Sequence, residues 1–315
     1  MGELRLRGET MENVIENKAP VGAEQQKPAK KKKPVKTIAA AVLDHIIVIL
    51  FAAFIVVPLY IVVITSVKTS VEANGTHFYW WPKLGFSLEG YKTVLTTSST
   101  ARNLVRAFGV TLWMYVPTII VGVLVSALAA YGFAKVEFFL KKPIYGILIS
   151  SLTLPNCVGM IASVIIFDGI GWMGTPLPLI IPKMMGGIGI VFFLRQFYAG
   201  LPDDLLGAAR VDGLGDYGIF FKIALPLSLP AVGSQFILTF ISAYNDYLGP
   251  LYYLLGYPEI YPLQLSLAYL RTASNADWQL LMSGTMVATI PMVCLYLVSQ
   301  KFILKGVSIT SGLKG

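Results

Sequence analysis

Residues 244–247 place polar side chains inside an apolar stretch of the chain. Asn245 and Asp246 lie between Tyr244 and Tyr247, and mostly apolar residues flank all four. A carboxylate and an amide can bind hydroxyl groups, and tyrosine rings can stack on a sugar ring. An ionisable residue within a membrane span is energetically costly and marks function by default. These four residues are therefore candidates for a substrate path. The alternative is that Asn245 and Asp246 pair with a neighbouring subunit or reach the membrane interface.

The chain has few of the residues that usually form catalytic sites. The chain has two histidines, His45 and His77, which are too few for a zinc site or a Ser-His-Asp constellation. Its two cysteines, Cys157 and Cys294, lie in apolar runs and are interpreted as packing residues. No G-x-x-x-x-G-K-[ST] phosphate loop occurs, and a G-x-G-x-x-G match at 169–174 lacks a preceding strand. We therefore expect no catalytic site, metal or cofactor in this chain, and any ATP chemistry must belong to a partner.

The elements that position these residues are predicted to be membrane-spanning helices. The chain has 315 residues, of which 55% are hydrophobic and 13% charged, whereas a soluble domain is about 25% charged. A span needs about 20 mostly apolar residues. The sequence predicts an all-α membrane protein with six spans, at 46–66, 108–130, 144–167, 177–198, 231–252 and 280–302.

Basic residues predict the orientation of these spans. Residues 1–36 are polar and rich in Lys and Pro, so they are expected to form a disordered cytoplasmic arm that contacts anionic lipid, ahead of a permease domain at 37–315. If the N-terminus lies inside, the cytoplasmic segments hold 18 of the 25 basic residues. This distribution predicts that both termini are cytoplasmic. Lys183 is an exception and is expected to reach the interface. The basic residues form no aromatic-interleaved patch, so a nucleic-acid partner is not expected.

Residues 201–230 predict a short helix outside the membrane core. Pro202 suits a first helical turn, and Gly213 suits a left-handed residue that ends a helix. Leu205, Leu206 and Ala209 share a face at helical spacing, so this face needs a partner. Either a lipid surface or a partner protein could cover this face.

The same segment resembles binding-protein-dependent ABC permeases. Their pattern is E-A-A-x3-G-x9-I-x-L-P, and the matching positions here are Ala208, Ala209, Gly213, Ile223, Leu225 and Pro226. Flanking residues 193–197 and 226–230, with a terminal Leu313-Lys314-Gly315, are similar to the carbohydrate-importer group typified by the smaller maltose permease. The family's Glu is replaced by Gly207. Either Gly207 allows a closer approach to the partner, or other polar residues supply the missing contacts.

The resemblance implies a type I ABC importer permease in a bacterial cytoplasmic membrane. It implies a second homologous permease, two ABC ATPase subunits that bind ATP and Mg, and an extracytoplasmic sugar-binding protein. In the family the motif helix docks on the ATPase, which implies a coupling role for Gly207, Ala208, Ala209, Asp212, Gly213, Ile223, Leu225 and Pro226. A long outer loop implies binding-protein contacts for Tyr257, Tyr261 and Tyr269. The alternatives are an ion-coupled secondary transporter and a membrane enzyme or scaffold. The sequence shows neither a convincing inverted repeat nor a catalytic cluster.

Overall fold

The computed structural model describes the backbone of residues 35–273 and 277–312, and the side chains of residues 40–155, 158–271 and 277–300. Every regular element in these ranges is helical, as predicted. The chain divides into two compact units, Met1–Ile55 and Val56–Gly315. The described part of the first unit is the beginning of helix α1, and the second unit holds the rest of α1 and all later helices.

The α-helices of the described residues vary from single turns to lengths that could cross a bilayer. In chain order they are α1 (Val35–Ser66), α2 (Ser70–Ala73), α3 (Glu89–Thr96), α4 (Leu104–Lys135), α5 (Lys141–Ser151), α6 (Asn156–Gly169), α7 (Leu177–Met184), α8 (Ile188–Ala199), α9 (Asp203–Val211), α10 (Asp216–Ile219), α11 (Leu225–Tyr244), α12 (Leu248–Leu254), α13 (Leu263–Ala273) and α14 (Trp278–Gly312). A π-helical turn at Phe220–Ala224 joins α10 to α11, and a 3-10 turn at Pro258–Ile260 precedes α13.

Five helical stretches of the described residues are long and apolar enough to cross a membrane. They are Ala40–Ser66, Leu104–Lys135, Leu177–Ala199, Asp216–Tyr244 and Trp278–Gln300. The predicted span at 144–167 is instead divided between α5 and α6. Pro155 lies directly before α6, and a proline disfavours helical conformation in the residue that precedes it. This stretch is therefore not one continuous helix, and the count of six spans stays a prediction.

Small residues bring α4 close to α7 and α8. A Cβ atom at Gly122 would lie 2.2 Å from the carbonyl oxygen of Lys183, so only glycine fits at this contact. One turn later, the Ser126 hydroxyl accepts the N–H of Gly187 at 2.9 Å. Gly186 separates α7 from α8 with a φ of +96°. Such close contacts through small and hydroxyl side chains are typical of helix packing in membranes.

Helix α4 also extends between two contact regions of the second unit. Its 32 residues span about 48 Å at 1.5 Å per residue. Near its last residue, Lys135 bonds to Asp203 of α9, and near its first turn Arg106 donates to the carbonyl of Glu259 at 2.9 Å. Helix α9 and the segment before α13 therefore lie at opposite ends of α4, which we call the α9 end and the α13 end.

Candidate functional site

A non-helical corner interrupts the stretch that carries the predicted path residues. Helix α11 ends at Tyr244, and α12 begins four residues later. The Asn245 side chain donates to a carbonyl of the last turn of α11 at 2.9 Å. Asp246 Oδ1 accepts the N–H of Gly249, in the first turn of α12, at 3.1 Å. Both side chains thus satisfy backbone groups at helix ends, and the predicted span at 231–252 is not one continuous helix.

Asp246 forms an ion pair with Lys183, which lies in the last turn of α7. Lys183 Nζ is 3.2 Å from Asp246 Oδ2, and the two side chains are 36% and 27% exposed. The same ammonium group lies 4.8 Å from the ring centre of Tyr115 on α4, a favourable cation–π distance. The sequence predicts an interfacial position for Lys183, whereas the structure gives it a partner within the chain. Asp246 thus has a partner within this chain, and its role in a substrate path stays a prediction.

A cavity of about 560 Å³ opens beside this ion pair. Its walls come from the break between α7 and α8, the last turns of α11 and the corner that follows them. The volume falls within the usual range for small-molecule sites. Hydroxyl, amide, ammonium and carboxylate groups all line it, which suits a solute that carries several hydroxyl groups. The polar lining residues are Lys183, Thr239, Ser242, Asn245, Asp246 and Tyr247.

Three of the four predicted path residues line this cavity, and Tyr244 does not. The Tyr244 side chain is buried, and its hydroxyl donates to the carbonyl of Ala288 on α14 at 2.7 Å. This bond ties α11 to α14. On the other side of the corner, Gln264 of α13 donates to Asn245 Oδ1 at 3.3 Å. The corner is thus connected to two further helices.

The cavity lies about halfway along α4. Lys183 contacts α4 through the ring of Tyr115 and through its own carbonyl near Gly122. Both residues fall in the middle part of Leu104–Lys135, which is one of the stretches long enough to cross a membrane. The polar cavity therefore lies beside the middle of this stretch, away from both of its ends.

Helix α9 is present where the sequence predicts it, between Pro202 and Gly213. Gly213 has a φ of +85°, and the N–H of Leu214 donates to the carbonyl of Ala209 at 3.0 Å. A left-handed glycine followed by such a bond is a common way to end a helix. Leu206 and Ala209 are buried against the bundle, whereas Leu205 is 41% exposed. The predicted apolar face is therefore narrower than expected, and this chain covers it.

An aromatic cluster belongs to the same buried core as Leu206 and Ala209 of α9. The ring centres of Tyr131, Tyr198 and Phe220 lie between 5.5 and 6.4 Å apart. The Tyr198 hydroxyl shares a hydrogen bond of 2.8 Å with the hydroxyl of Ser228. The buried Tyr131 hydroxyl has no hydrogen-bond partner among the described residues. Apolar and aromatic contacts thus predominate in this cluster.

Two ion pairs fix α9 and α10. Lys135 Nζ donates to the carbonyl of Leu201 and to Asp203 Oδ1, each at 2.7 Å. The hydrogen bond from Lys135 and its positive charge hold the pKa of Asp203 below its ordinary value. Arg210 lies 3.1 Å from Asp216 across the turn that joins α9 to α10. The first pair ties α9 to the end of α4, and the second ties it to α10.

The predicted coupling residues divide between the two faces of this segment. Ala208 and Asp212 are exposed, and the nearby Val211 is 88% exposed. A Cβ atom at Gly207 would meet nothing within 4 Å, so packing within this chain does not require glycine there. The remaining predicted residues are Ala209, which is buried, Ile223 and Leu225, which are half-buried, and Gly213 and Pro226, which are exposed.

The three predicted contact tyrosines lie at the α13 end with different exposures. Tyr261 is buried, and its hydroxyl accepts the N–H of Gly256 at 3.1 Å. Tyr257 is 46% exposed and packs its ring over Gly174. Tyr269 is 42% exposed, with its ring centre 6.1 Å from that of Tyr261. Tyr257 and Tyr269 therefore offer accessible surface, whereas Tyr261 supports the segment from within.

The loop after α1 is organised around the buried Glu72. Its carboxylate accepts the N–H groups of Lys83 and Leu84 at 3.0–3.1 Å and lies 3.9 Å from Lys68 Nζ. Burial raises the pKa of Glu72, but the two N–H donors and the nearby lysines outweigh it, so the pKa lies below its ordinary value. These contacts fix the segment that presents Trp80, which is 60% exposed.

Several residues that contribute to the cavity and to the α9 end are not predicted from the sequence. Thr239 and Ser242 line the cavity, but isolated hydroxyl residues in an apolar helix carry no distinctive signal. Lys183 and Lys135 find their partners 63 and 68 residues away. A basic residue inside or at the end of a span is a usable signal, because such a residue normally needs a partner.

Comparison with known proteins agrees with this architecture. The arabinooligosaccharides transport system permease protein of Halalkalibacterium halodurans is 29% identical over 268 residues, which cover 84% of this chain and 94% of that protein. The lactose transport system permease protein of Rhizobium radiobacter is 29% identical over 198 residues, which cover 62% and 72%. These relatives span most of the chain.

A solved structure shares the fold. It is a chain from the crystal structure of a bacterial ABC transporter involved in the import of the acidic polysaccharide alginate. The TM-score is 0.73 at 18% identity, and the match covers 86% of this chain and 99% of that one. The model of one protein family, described as the binding-protein-dependent transport system inner membrane component, matches residues 96–308. The chain belongs to this family and is a multi-pass inner-membrane permease component.

Proposed function

We propose that this chain is one permease subunit of an ATP-driven importer that moves a sugar across the cytoplasmic membrane. The observation that carries the proposal is the geometry of α9. Its inner face is anchored through Leu206 and Ala209, while Ala208 and Val211 remain exposed on the outside. A helix held in this way can receive a push from a partner and pass it to the bundle.

In this proposal the α9 end faces the cytoplasm and contacts an ATPase. ATP and Mg are bound by two ATPase subunits, and a second homologous permease forms the other half of the path. Closure of the ATPase pair moves α9, and the aromatic cluster behind it transmits that motion to α4 and α11. The open space around Gly207 leaves room for a side chain of the partner.

The cavity beside Lys183 and Asp246 forms this subunit's share of the substrate path. Its polar lining and its depth within the bundle support that role. Sugar transport by relatives, including arabinooligosaccharide and lactose permeases, supports a carbohydrate substrate. At the α13 end, Tyr257 and Tyr269 are proposed to contact an extracytoplasmic binding protein. Family membership favours this function over an ion-coupled secondary transporter.

Co-purification with the candidate ATPase tests the proposal. Ala208→Glu changes the exposed face of α9 without entering the core, and Phe139→Asp is a matched control at an 87% exposed position in the loop after α4. We expect Ala208→Glu to reduce ATPase co-purification and binding-protein-stimulated hydrolysis about tenfold, which corresponds to about 1.4 kcal/mol. The control should behave like the wild type. Full activity of Ala208→Glu would contradict the coupling role and favour a lipid-facing helix.

A further inference from the structure

We infer that the Lys183–Asp246 ion pair makes this path selective for neutral, hydroxyl-rich sugars over sugars that carry a carboxylate. The inference rests on the proposed transport function and specifies its substrate class. It concerns charge, because Lys183 and Asp246 are the two formally charged residues among those that line the cavity.

The pair leaves the cavity with no net charge while keeping its capacity to bind hydroxyls. An ammonium group has three N–H donors, and each carboxylate oxygen can accept two hydrogen bonds. The described contacts give Lys183 one hydrogen bond, to Asp246 Oδ2, and give Asp246 Oδ1 one bond, from Gly249. Donor and acceptor capacity therefore remains on both side chains, and both are partly exposed. Sugar hydroxyls can use both kinds of group.

A sugar that carries a carboxylate should bind this cavity less well. It loses hydration on entering the cavity, and a buried charge needs a partner to offset that loss. The available cation, Lys183, is already neutralised at 3.2 Å by Asp246. An anionic sugar that binds the remaining donors of Lys183 places a like charge beside Asp246, and one that displaces Asp246 leaves that carboxylate unpaired near it.

Removing the charge of Asp246 should therefore open the path to anions. Asp246→Asn keeps a side-chain oxygen that can accept the Gly249 N–H, and it frees the charge of Lys183. The double variant Lys183→Met/Asp246→Asn removes both charges and serves as the matched control. A purely structural effect of Asp246→Asn would persist in the double variant, whereas an electrostatic effect would disappear.

The test measures binding to the assembled permease–ATPase complex in nanodiscs without the binding protein, so that the permease alone selects the probe. Saturation-transfer NMR compares neutral arabinotriose with anionic trigalacturonate. We expect the wild type to favour arabinotriose. Asp246→Asn should shift the ratio of affinities about tenfold toward trigalacturonate, an effect that high salt weakens. The double variant should restore the preference for arabinotriose.

Three results would overturn the inference: a wild type that favours trigalacturonate or binds neither probe, an unchanged ratio in Asp246→Asn, or a double variant that keeps the shifted ratio. The proposed function is judged separately by ATPase co-purification and stimulated hydrolysis. A complex that hydrolyses ATP on demand but shows an unchanged ratio contradicts the charge selectivity alone. A chain that never associates with the ATPase contradicts the proposed function.

Discussion

At the α9 end, buried apolar side chains hold the helix to the bundle, whereas beside Asp246 polar side chains surround a space that the chain leaves open. The first region has Leu206 and Ala209 buried in the same core as the aromatic cluster. The second has an ion pair, helix-end side chains and a cavity of about 560 Å³. Dense packing transmits displacement, since protein interiors have low compressibility. An open polar corner can bind a solute. We therefore propose that the first region transmits force and that the second binds a solute.

The largest effect should follow from placing a charge in the densely packed region. Ala209→Glu buries a carboxylate against the bundle, where Ala209 is 4% exposed. A buried charge without a partner costs about 3 kcal/mol or more. We expect a clear fall in thermal stability of the purified protein in detergent. The exposed neighbour is the control, because Ala208→Glu should unfold at the wild-type temperature although it loses ATPase coupling. Equal stability of the two variants would contradict the packing described for α9.

Crowding the contact between α4 and α7 should cause the next largest loss of stability. This contact adjoins Lys183, which lines the cavity, so substrate binding should change as well. Gly122→Ala places a methyl group against the Lys183 carbonyl, and overpacking of this kind costs about 1–3 kcal/mol. Both stability and substrate binding should fall. Gly109→Ala, in the same helix with open space around its Cβ, should be neutral or slightly stabilising. Thermal unfolding and sugar binding distinguish the two. A tolerated Gly122→Ala would mean that the helices separate easily there.

Removing single hydroxyl groups should sharpen the description of the aromatic cluster. Tyr198→Phe breaks the hydrogen bond with Ser228 and should cost about 1 kcal/mol. Tyr131→Phe removes a hydroxyl that has no partner among the described residues, so it should be neutral or stabilising. Thermal unfolding of the isolated chain checks both variants. The reverse order of effects would show that the Tyr131 hydroxyl has a polar partner, which would contradict the description of this cluster.

The smallest effect concerns the Lys135–Asp203 pair, in which the aspartate is exposed. Because the folded-state pKa of Asp203 is lowered, the pair contributes stability above the ordinary carboxylate pKa, and that contribution is lost as pH falls through the lowered value. Lys135→Met should raise the pKa of Asp203 and flatten the acid dependence of stability. Lys141→Met is the control, because its partner is Glu137 and not Asp203. An unchanged Asp203 pKa by NMR titration would contradict the pairing.

The same comparison explains what could be predicted from the sequence. The limits of α9 depend on local signals, namely Pro202 before its first turn and Gly213 after its last. The sequence therefore predicts where this helix begins and ends. Five of the six predicted apolar runs overlap helical stretches long enough to cross a membrane, because hydropathy is also a local signal. The corner at Asp246 depends on Lys183, which is 63 residues away, and on side chains that cap helix ends instead of continuing a span. Hydropathy averages over such capping residues, so it extends the helix through them.

Uptake by the reconstituted complex tests the central claim most directly. The chain would be assembled with its partner permease and ATPase subunits in proteoliposomes, with ATP and Mg on the ATPase side and the sugar-loaded binding protein on the other. Sugar accumulation should require both ATP and the binding protein, and Ala208→Glu should lower its rate about tenfold while Phe139→Asp leaves it unchanged. Sugar uptake driven by an ion gradient, without ATP or the binding protein, would contradict the account.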